Sequence, residues 1–215
     1  WNETVAAART LSGAANAALL VTGTLNVTVG PDRLDLAGPT PVRVGDCSAY
    51  TITSRDTALN ATNALSNVTV NLTDNSATGN YYDTADTTCS GGAITSIVLP
   101  SGSNVVTVYY KDSTSGTITL TVADNNSAYL AGDTLNIYMG PDRLEVTGTD
   151  PIRSSDCSVY TVTSKDSTGN AANVTVNTTV NLTDNTANGN FYALADTTCV
   201  GGAITSILIS NGIKG

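Results

Sequence analysis

Four cysteines are the residues whose type and spacing point most directly to chemistry. Cys47 and Cys89 lie 42 residues apart, and so do Cys157 and Cys199. Four cysteines allow three disulfide connectivities. Zinc ligands usually lie a few residues apart and include histidine, which this sequence lacks. The spacing therefore favours disulfides over a metal site, and we expect no bound metal.

The absence of histidine also bears on catalysis. Serine and cysteine nucleophiles usually need a histidine base, and this chain has none. Two carboxylates could hydrolyse glycosides, but the candidate acids Asp86 and Asp196 lie in turns that occur twice in the chain. A duplicated surface indicates a scaffold, so we expect no enzymatic activity and no cofactor.

The charge balance limits the partners. The formal net charge is -9, and the lysines are only Lys111, Lys165 and Lys214. Nucleic acids and anionic lipids both need basic patches. A membrane-spanning helix needs ~20 apolar residues, whereas the longest apolar run here is the short stretch 17–21. We expect neither nucleic-acid binding nor membrane insertion within this segment.

A repeat of 110 residues organises the chain. Residues 25–102 align without a gap to 135–212, and about 46 of the 78 positions are identical. This period is too long for a solenoid coil and has the size of a β-sandwich domain. Segments with closely matching sequences are 30–34 with 140–144, 69–75 with 179–185, 85–89 with 195–199, and 91–97 with 201–207.

Short alternating segments predict that each repeat is all-β. In Ser66–Thr73, Val68, Val70 and Leu72 fall on one face, while Asn and Thr fall on the other. Turn-forming Asn, Asp, Gly and Ser separate such segments at intervals of about 10 residues. The predicted strands are Arg33–Gly38, Tyr50–Ser54, Ser66–Thr73, Asn80–Tyr82, Ile94–Leu99, Val105–Tyr110, Thr117–Val122 and Thr134–Met139.

The repeat also selects one cysteine connectivity. Each domain must fold by itself, so Cys47 should pair with Cys89, and Cys157 with Cys199. Disulfides persist in oxidising compartments, which predicts an extracellular protein at the cell surface. The alternative is that the four cysteines are free buried thiols.

The order of these segments resembles a known class of repeats. The segments 33–38, 45–51, 70–73, 94–97 and 106–112, with Tyr81 and Cys89 between them, are similar to prokaryotic, bacterial invasin-type Ig-like repeat domains. This resemblance implies tandem immunoglobulin-like β-sandwich domains. It also implies a role in stalks, spacers, fibres or adhesins. The tryptophan that receptor-type Ig domains carry between their cysteines is missing, because the only tryptophan is Trp1.

The chain ends are out of phase with the repeat. Residues 1–30 align with 111–140 and are predicted to be terminal strands of a preceding or complementing domain. Residues 31–140 form Ig-like domain 1, and 141–215 form Ig-like domain 2 without its last three strands. Either the chain is a window on a longer array, or strands 1–30 of one subunit complete the open domain of another.

The chain contains nine sequons for N-glycosylation, of which about five are expected by chance in so Asn-, Ser- and Thr-rich a sequence. Several fall on the polar face of predicted strands, where glycans would shield a sheet. The alternative is an unmodified polar face. The sequon asparagines are Asn2, Asn26, Asn60, Asn67, Asn71, Asn125, Asn173, Asn177 and Asn181.

Two further groups of residues have competing interpretations. The acidic and amide side chains of 124–126, Asp133, Asp142 and Asp32 could bind calcium through oxygen, or could simply form turns. The aromatic pairs 81–82 and 191–192 could stack on sugars, but one ring of each pair must face the core.

These observations predict a structural protein of an extracellular filament, sheath or surface stalk that is assembled end to end. Strand complementation between subunits is one way to complete the open domain. The partners of the protein would be itself, as a homopolymer or as neighbouring repeats of one chain, and glycans. The alternatives are the stalk of an adhesin and a carbohydrate-binding module of a secreted protein.

Overall fold

The computed structural model describes residues 3–13, 23–126, 129–186 and 188–215. Throughout these ranges the regular secondary structure is β-strand, so the protein is all-β. No helix long and apolar enough to cross a membrane is found within them. Asn2 and the whole apolar stretch 17–21 lie outside the described residues.

The strands follow the alternation in the sequence. They are β1 (Ala7–Gly13), β2 (Gly23–Val29), β3 (Arg33–Ala37), β4 (Val42–Arg43), β5 (Ser48–Arg55), β6 (Val68–Asp74), β7 (Asn80–Tyr82), β8 (Ser96–Leu99), β9 (Val105–Lys111), β10 (Gly116–Asp124), β11 (Asp133–Gly140), β12 (Arg143–Gly148), β13 (Tyr160–Lys165), β14 (Thr178–Asn181), β15 (Phe191–Tyr192), β16 (Ala203–Ile204) and β17 (Ser206–Ile209). All eight predicted segments contain a strand, and β4 is an additional short one.

The chain divides into two compact units. Unit 1 comprises Trp1–Pro39, Cys47–Lys111 and Ile118–Ile137, and unit 2 comprises Thr40–Asp46, Asp112–Thr117 and Tyr138–Gly215. These units are discontinuous in sequence, whereas the domain boundary predicted at residue 140 follows from the sequence repeat. That boundary stays a prediction.

Two sheets with alternating burial form a β-sandwich. One has the strand order β3-β5-β9-β7 and is antiparallel throughout. The other has the order β4-β11-β10-β6-β8, with β4 parallel to β11. In unit 1 both sheets bury one face, and the buried apolar side chains include Leu34, Leu36, Tyr50, Ile52, Val68, Val70, Leu72, Tyr81, Leu99, Val108, Tyr110, Leu120 and Val122.

Three tyrosines fix the sandwich core. The rings of Tyr50 and Tyr110 meet edge to face with centroids 6.4 Å apart, and Tyr81 lies 5.0 Å from Tyr110. The Tyr81 hydroxyl donates to the carbonyl of Thr73 at 2.8 Å, which links β7 of one sheet to β6 of the other. Burial raises the pKa of Tyr50 to about 12, so its hydroxyl stays protonated and donates to the Pro39 carbonyl at 3.1 Å.

Strands β12 to β17 of unit 2 form three two-stranded sheets in the described chain. They are β12-β13, β14-β17 and β15-β16. Its buried cluster consists of Val174, Val180 and Ile209, with partly buried hydrophobic residues packed against it. This cluster is much smaller than the core of unit 1, although the corresponding sequences are largely the same.

The N-terminal strands β1 and β2 form an antiparallel hairpin. Leu11 lies opposite Leu25, and Arg9 lies opposite Val27. Residues opposite one another in an antiparallel pair share a face. One face of the hairpin is therefore mainly apolar, and its other face carries Thr, Ser and Asn.

Candidate assembly site

Leu144 and Val146 of β12 and Tyr160 of β13 are exposed where their counterparts in unit 1 are buried. Leu34 is 2% exposed, but the equivalent Leu144 is 44% exposed. Tyr50 is fully buried, whereas Tyr160 is 47% exposed. The sequences are alike, so the difference must come from the strands that cover them.

The sheets of unit 2 are also narrower than those of unit 1. In unit 1, β5 lies between β3 and β9. The equivalent strand β13 pairs only with β12 among the strands that the structure describes. One edge of β13 consequently lacks the strand that covers β5, and unpaired edges are places where another strand can add.

The second sheet of unit 2 has the same gap. Strand β6 lies between β10 and β8, while β14 pairs with β17 alone within the described part of the chain. Leu72 on β6 is 3% exposed, and the equivalent Leu182 is only partly buried. Unit 2 thus presents two open strand edges and an uncovered apolar surface. We call β13, β14 and the exposed side chains Leu144, Val146 and Tyr160 the open face.

The polypeptide approaches this open face at residues 213–214. The Ser164 amide donates to the Lys214 carbonyl at 2.9 Å. In unit 1 the equivalent Ser54 amide donates to the Asn104 carbonyl at 2.8 Å, immediately before β9 begins. The position beside β13 therefore has the geometry that leads into a β9-type strand.

The hairpin resembles the pair β10–β11, which has no equivalent among the described strands of unit 2. The Thr10 hydroxyl donates to the Asn26 side chain at 2.7 Å. In the same way, Thr119 of β10 donates to Asn136 of β11 at 2.8 Å. The apolar face of the hairpin β1–β2 carries Leu11, Leu25, Val27 and Val29, and Leu25 is 61% exposed.

This hydrogen bond also revises the alignment of residues 1–30 with 111–140. Strand β2 matches β11 with an offset of 110 residues, because Asn26 corresponds to Asn136. Strand β1 matches β10 with an offset of 109, because Thr10 corresponds to Thr119 rather than to Leu120. The uniform offset was wrong for β1. An ungapped alignment makes Leu11 equivalent to Thr121, whereas the offset of 109 makes it equivalent to the buried Leu120.

The disulfides have the connectivity that the repeat selects. Cys47 is bonded to Cys89 with Cα atoms 5.6 Å apart, and Cys157 to Cys199 with Cα atoms 5.7 Å apart. No free cysteine remains in the described chain.

A carboxylate organises the loop beside each disulfide. Asp86 accepts the Gly91 amide at 2.8 Å, and Asp196 accepts the Gly201 amide at 2.7 Å. The Gly91 hydrogen bond is the main reason why the pKa of Asp86 lies below its usual value. These two aspartates, considered above as catalytic candidates, are engaged in holding their own loops.

The described sequons fall into two structural groups. In one group the Oδ1 atom accepts a backbone amide: Asn67 from Ser101 and Asn177 from Asn211, both at 2.9 Å. In the other group the Nδ2 atom, which an N-linked glycan would occupy, is itself a hydrogen-bond donor. Asn60 donates to Asp56 and Asn71 donates to Asn125, both at 3.2 Å. The remaining described sequon asparagines are Asn26, Asn125, Asn173 and Asn181, all exposed.

The acidic side chains considered for calcium are mostly occupied by local hydrogen bonds. Asp124 accepts the amides of Asn126 and Leu130 at 3.0 and 3.2 Å. Asp133 accepts the Leu36 amide at 2.8 Å. In the part of the chain that is described, no three His, Cys, Asp or Glu side chains are grouped as metal ligands would be. Asp124 therefore holds its own turn, Asp133 binds a distant strand, and Asp142 Oδ1 is buried without a hydrogen-bond partner in the described chain.

The aromatic pairs also have mainly structural positions. Tyr81 is buried and Tyr82 is partly exposed. Tyr82 lies opposite Tyr109 on β9. Phe191 and Tyr192 are both partly buried.

Comparisons with known proteins complete the description of the site. No protein-family model and no curated sequence matches this chain. Among solved structures, a glycosyl hydrolase family 2 member from Bacteroides cellulosilyticus aligns over 54% of this chain and 15% of its own, with 18% identity and a TM-score of 0.37. A structure of the S-layer protein SbsC aligns over 76% of this chain and 22% of its own, with 14% identity and a TM-score of 0.35.

A structure of SbsC domains 5–6 aligns over 86% of this chain and 85% of its own, with 13% identity and a TM-score of 0.35. This chain therefore spans less than a quarter of the length of the first two structures. At these identities and scores the likenesses assign neither a family nor a function.

Proposed function

We propose that this chain is a structural component of an extracellular filament, sheath or surface stalk. It is built from Ig-like sandwich modules joined end to end. The observation that carries this proposal is the contrast between Leu34, 2% exposed, and Leu144, 44% exposed, at equivalent positions of the repeat. An apolar face that is buried in one module and open in the next calls for a covering strand.

The strands that cover β14 and the apolar face are of the β10–β11 type, and the hairpin β1–β2 of a second copy supplies them. The β9-type strand beside β13 is not part of this exchange. The hairpin repeats the Thr–Asn cross-strand bond of β10 and β11. Its Val27 and Val29 occupy the positions of the buried Ile137 and Met139. A head-to-tail contact of this kind does not close on itself and so generates a filament.

Three features favour an extracellular setting without catalysis. The two disulfides suit an oxidising compartment. The duplicated aspartates Asp86 and Asp196 serve loop structure. The exposed sequon asparagines lie on a polar surface where glycans can attach. The chain acts as a scaffold, with itself and glycans as partners.

The test combines electron microscopy of the native material with the mass of the intact subunit. Regular filaments from a subunit of about this size are expected. A matched pair of variants locates the contact: Val27→Asp places a charge on the apolar face of the hairpin, and Thr28→Asp places the same charge on its opposite face. Val27→Asp should abolish filaments, and Thr28→Asp should keep them.

Three results would count against this proposal. Monomeric rods from the native protein would favour an adhesin stalk. A native subunit several-fold heavier would mean that the open face is covered by later residues of the same chain. Retention on a polysaccharide column that is lost in Tyr82→Ala or Tyr192→Ala would favour the carbohydrate-binding alternative.

A further inference from the structure

Two buried aspartates occupy equivalent positions of the repeat. Asp56 follows β5 and is 2% exposed, and Asp166 follows β13 and is 1% exposed. A buried carboxylate needs strong hydrogen-bond donors. Each of these aspartates has donors from its own turn and from a distant segment, and in both the distant amide binds Oδ2.

The Oδ1 atom of each aspartate holds its own turn. Asp56 Oδ1 accepts the amides of Ala58 and Asn60 at 3.0 and 2.9 Å. Asp166 Oδ1 accepts the amides of Thr168 and Asn170 at 3.0 and 2.9 Å. One oxygen is sufficient for this local role, which is typical of Asx turns.

The Oδ2 atom reaches a segment about 50 residues earlier. Asp56 Oδ2 accepts the Ala6 amide at 3.0 Å, just before β1. Asp166 Oδ2 accepts the Ser115 amide at 3.4 Å and the Ser115 hydroxyl at 3.3 Å, just before β10. The first contact lies wholly within unit 1 and the second wholly within unit 2.

The segments that supply these amides are themselves equivalent. The Val5 amide donates to Glu3 Oε1 at 3.3 Å, and the Thr114 amide donates to Asp112 Oδ1 at 2.9 Å. In both segments this turn precedes the residue that binds the aspartate. With the offset of 109 found for β1, Ala6 corresponds to Ser115, so donor and acceptor recur together.

A further bond strengthens the second contact. The Ser167 hydroxyl donates to the Ser113 carbonyl at 2.6 Å. Residue 166 therefore accepts a hydrogen bond from the main chain of residues 113–115, and residue 167 donates one to it. Apart from the Ser115 hydroxyl, these contacts are made to main-chain atoms of the segment.

We propose that Asp56 and Asp166 are docking residues for the segment that leads into a β10-type strand of the preceding repeat. One carboxylate oxygen folds the turn of the aspartate, and the other binds the main-chain N–H of the incoming segment. The partner is a backbone segment with an acidic residue three positions before the bound amide. This docking acts within one chain and does not require subunits to polymerise.

Asparagine substitution separates the two roles. In Asp166→Asn of the full chain, the remaining carbonyl oxygen can still accept the Thr168 and Asn170 amides. The NH2 group replaces Oδ2 and faces the donors of Ser115. Amide hydrogen exchange at Ser115 should accelerate at least ~10-fold, while exchange at Thr168 and Asn170 stays within about twofold of wild type.

Asp196→Asn is the matched control. Asp196 lies in the same repeat, and both its oxygens accept donors of its own loop. This control should leave Ser115 exchange unchanged. Asp56→Asn, read at Ala6, repeats the test at the first position and serves if Asp166→Asn fails to fold. Unchanged exchange at Ser115 and Ala6, or equal acceleration at Ser115 and at the turn amides, would overturn the proposal.

Discussion

At the scale of single residues, Asp166 shows how hydrogen bonds prevail over burial. Burial of its carboxyl group favours the neutral form and raises the pKa. Hydrogen bonds from Thr168, Asn170 and Ser115 favour the charged form and prevail, so the pKa falls to about 2 from the ordinary 3.8. The carboxylate remains charged well into the acid range.

This lowered pKa predicts a pH dependence of stability. The unfolded chain takes up the proton at the ordinary pKa of 3.8. The stabilisation from Asp166 is therefore complete above that pH and is lost as the pH falls towards 2. Denaturant unfolding between neutral pH and pH ~2 should show a smaller loss of stability for Asp166→Asn than for wild type. Equal losses would contradict the assignment.

Glycan occupancy is a second prediction at this scale. Asn67 and Asn177 are held by Oδ1, which leaves Nδ2 available for a glycan. Asn60 and Asn71 use Nδ2 in hydrogen bonds. Glycopeptide mass spectrometry of the native protein should find glycans at the first pair and none at the second. The reverse distribution would show that these hydrogen bonds do not govern attachment.

At the scale of strands, β3 and β12 allow a matched comparison. Leu34→Ala removes a buried side chain and should lower the free energy of unfolding by ~2–5 kcal/mol. Leu144→Ala removes an exposed one and should change the subunit by less than ~1 kcal/mol. Chemical denaturation of the unassembled subunit measures both values. If Leu144→Ala is as costly as Leu34→Ala, the open face is already covered in the subunit.

The same strands show what the sequence can and cannot predict. Residues 69–75 and 179–185 are identical, and their alternation predicted a strand in each. Yet β6 spans seven residues between two neighbours, while β14 spans four beside one. Periodicity predicts which residues share a face of the sheet. Whether that face is buried depends on the strands that cover it.

For the candidate sites, too, the sequence predicted some features and not others. The repeat was enough to select the disulfide connectivity, because both cysteines recur with one period. It could not show that Asp56 and Asp166 bind distant amides, since Asp before Ser or Thr is typical of any turn. The one-residue shift of β1 was also hidden. Residues 1–13 share too few side chains with 111–123 for an alignment to fix the register.

At the scale of the whole molecule, strand exchange predicts inhibition by a peptide. A peptide of residues 1–30 carries the hairpin sequence and should compete for the open face. Added in excess to subunits, it should shorten filaments in electron micrographs. The same peptide with Val27→Asp is the control and should have no effect. Filaments of unchanged length with both peptides would argue against exchange of this hairpin.

The hairpin precedes the sandwich in the chain, and the open face follows it. A polymer joined through these two features has a direction, since one end carries an unoccupied open face and the other end an unpaired hairpin. Subunits would arrive at chemically different ends, so elongation rates at the two tips need not be equal. A cell could then anchor one tip and extend the other without any additional marker of orientation.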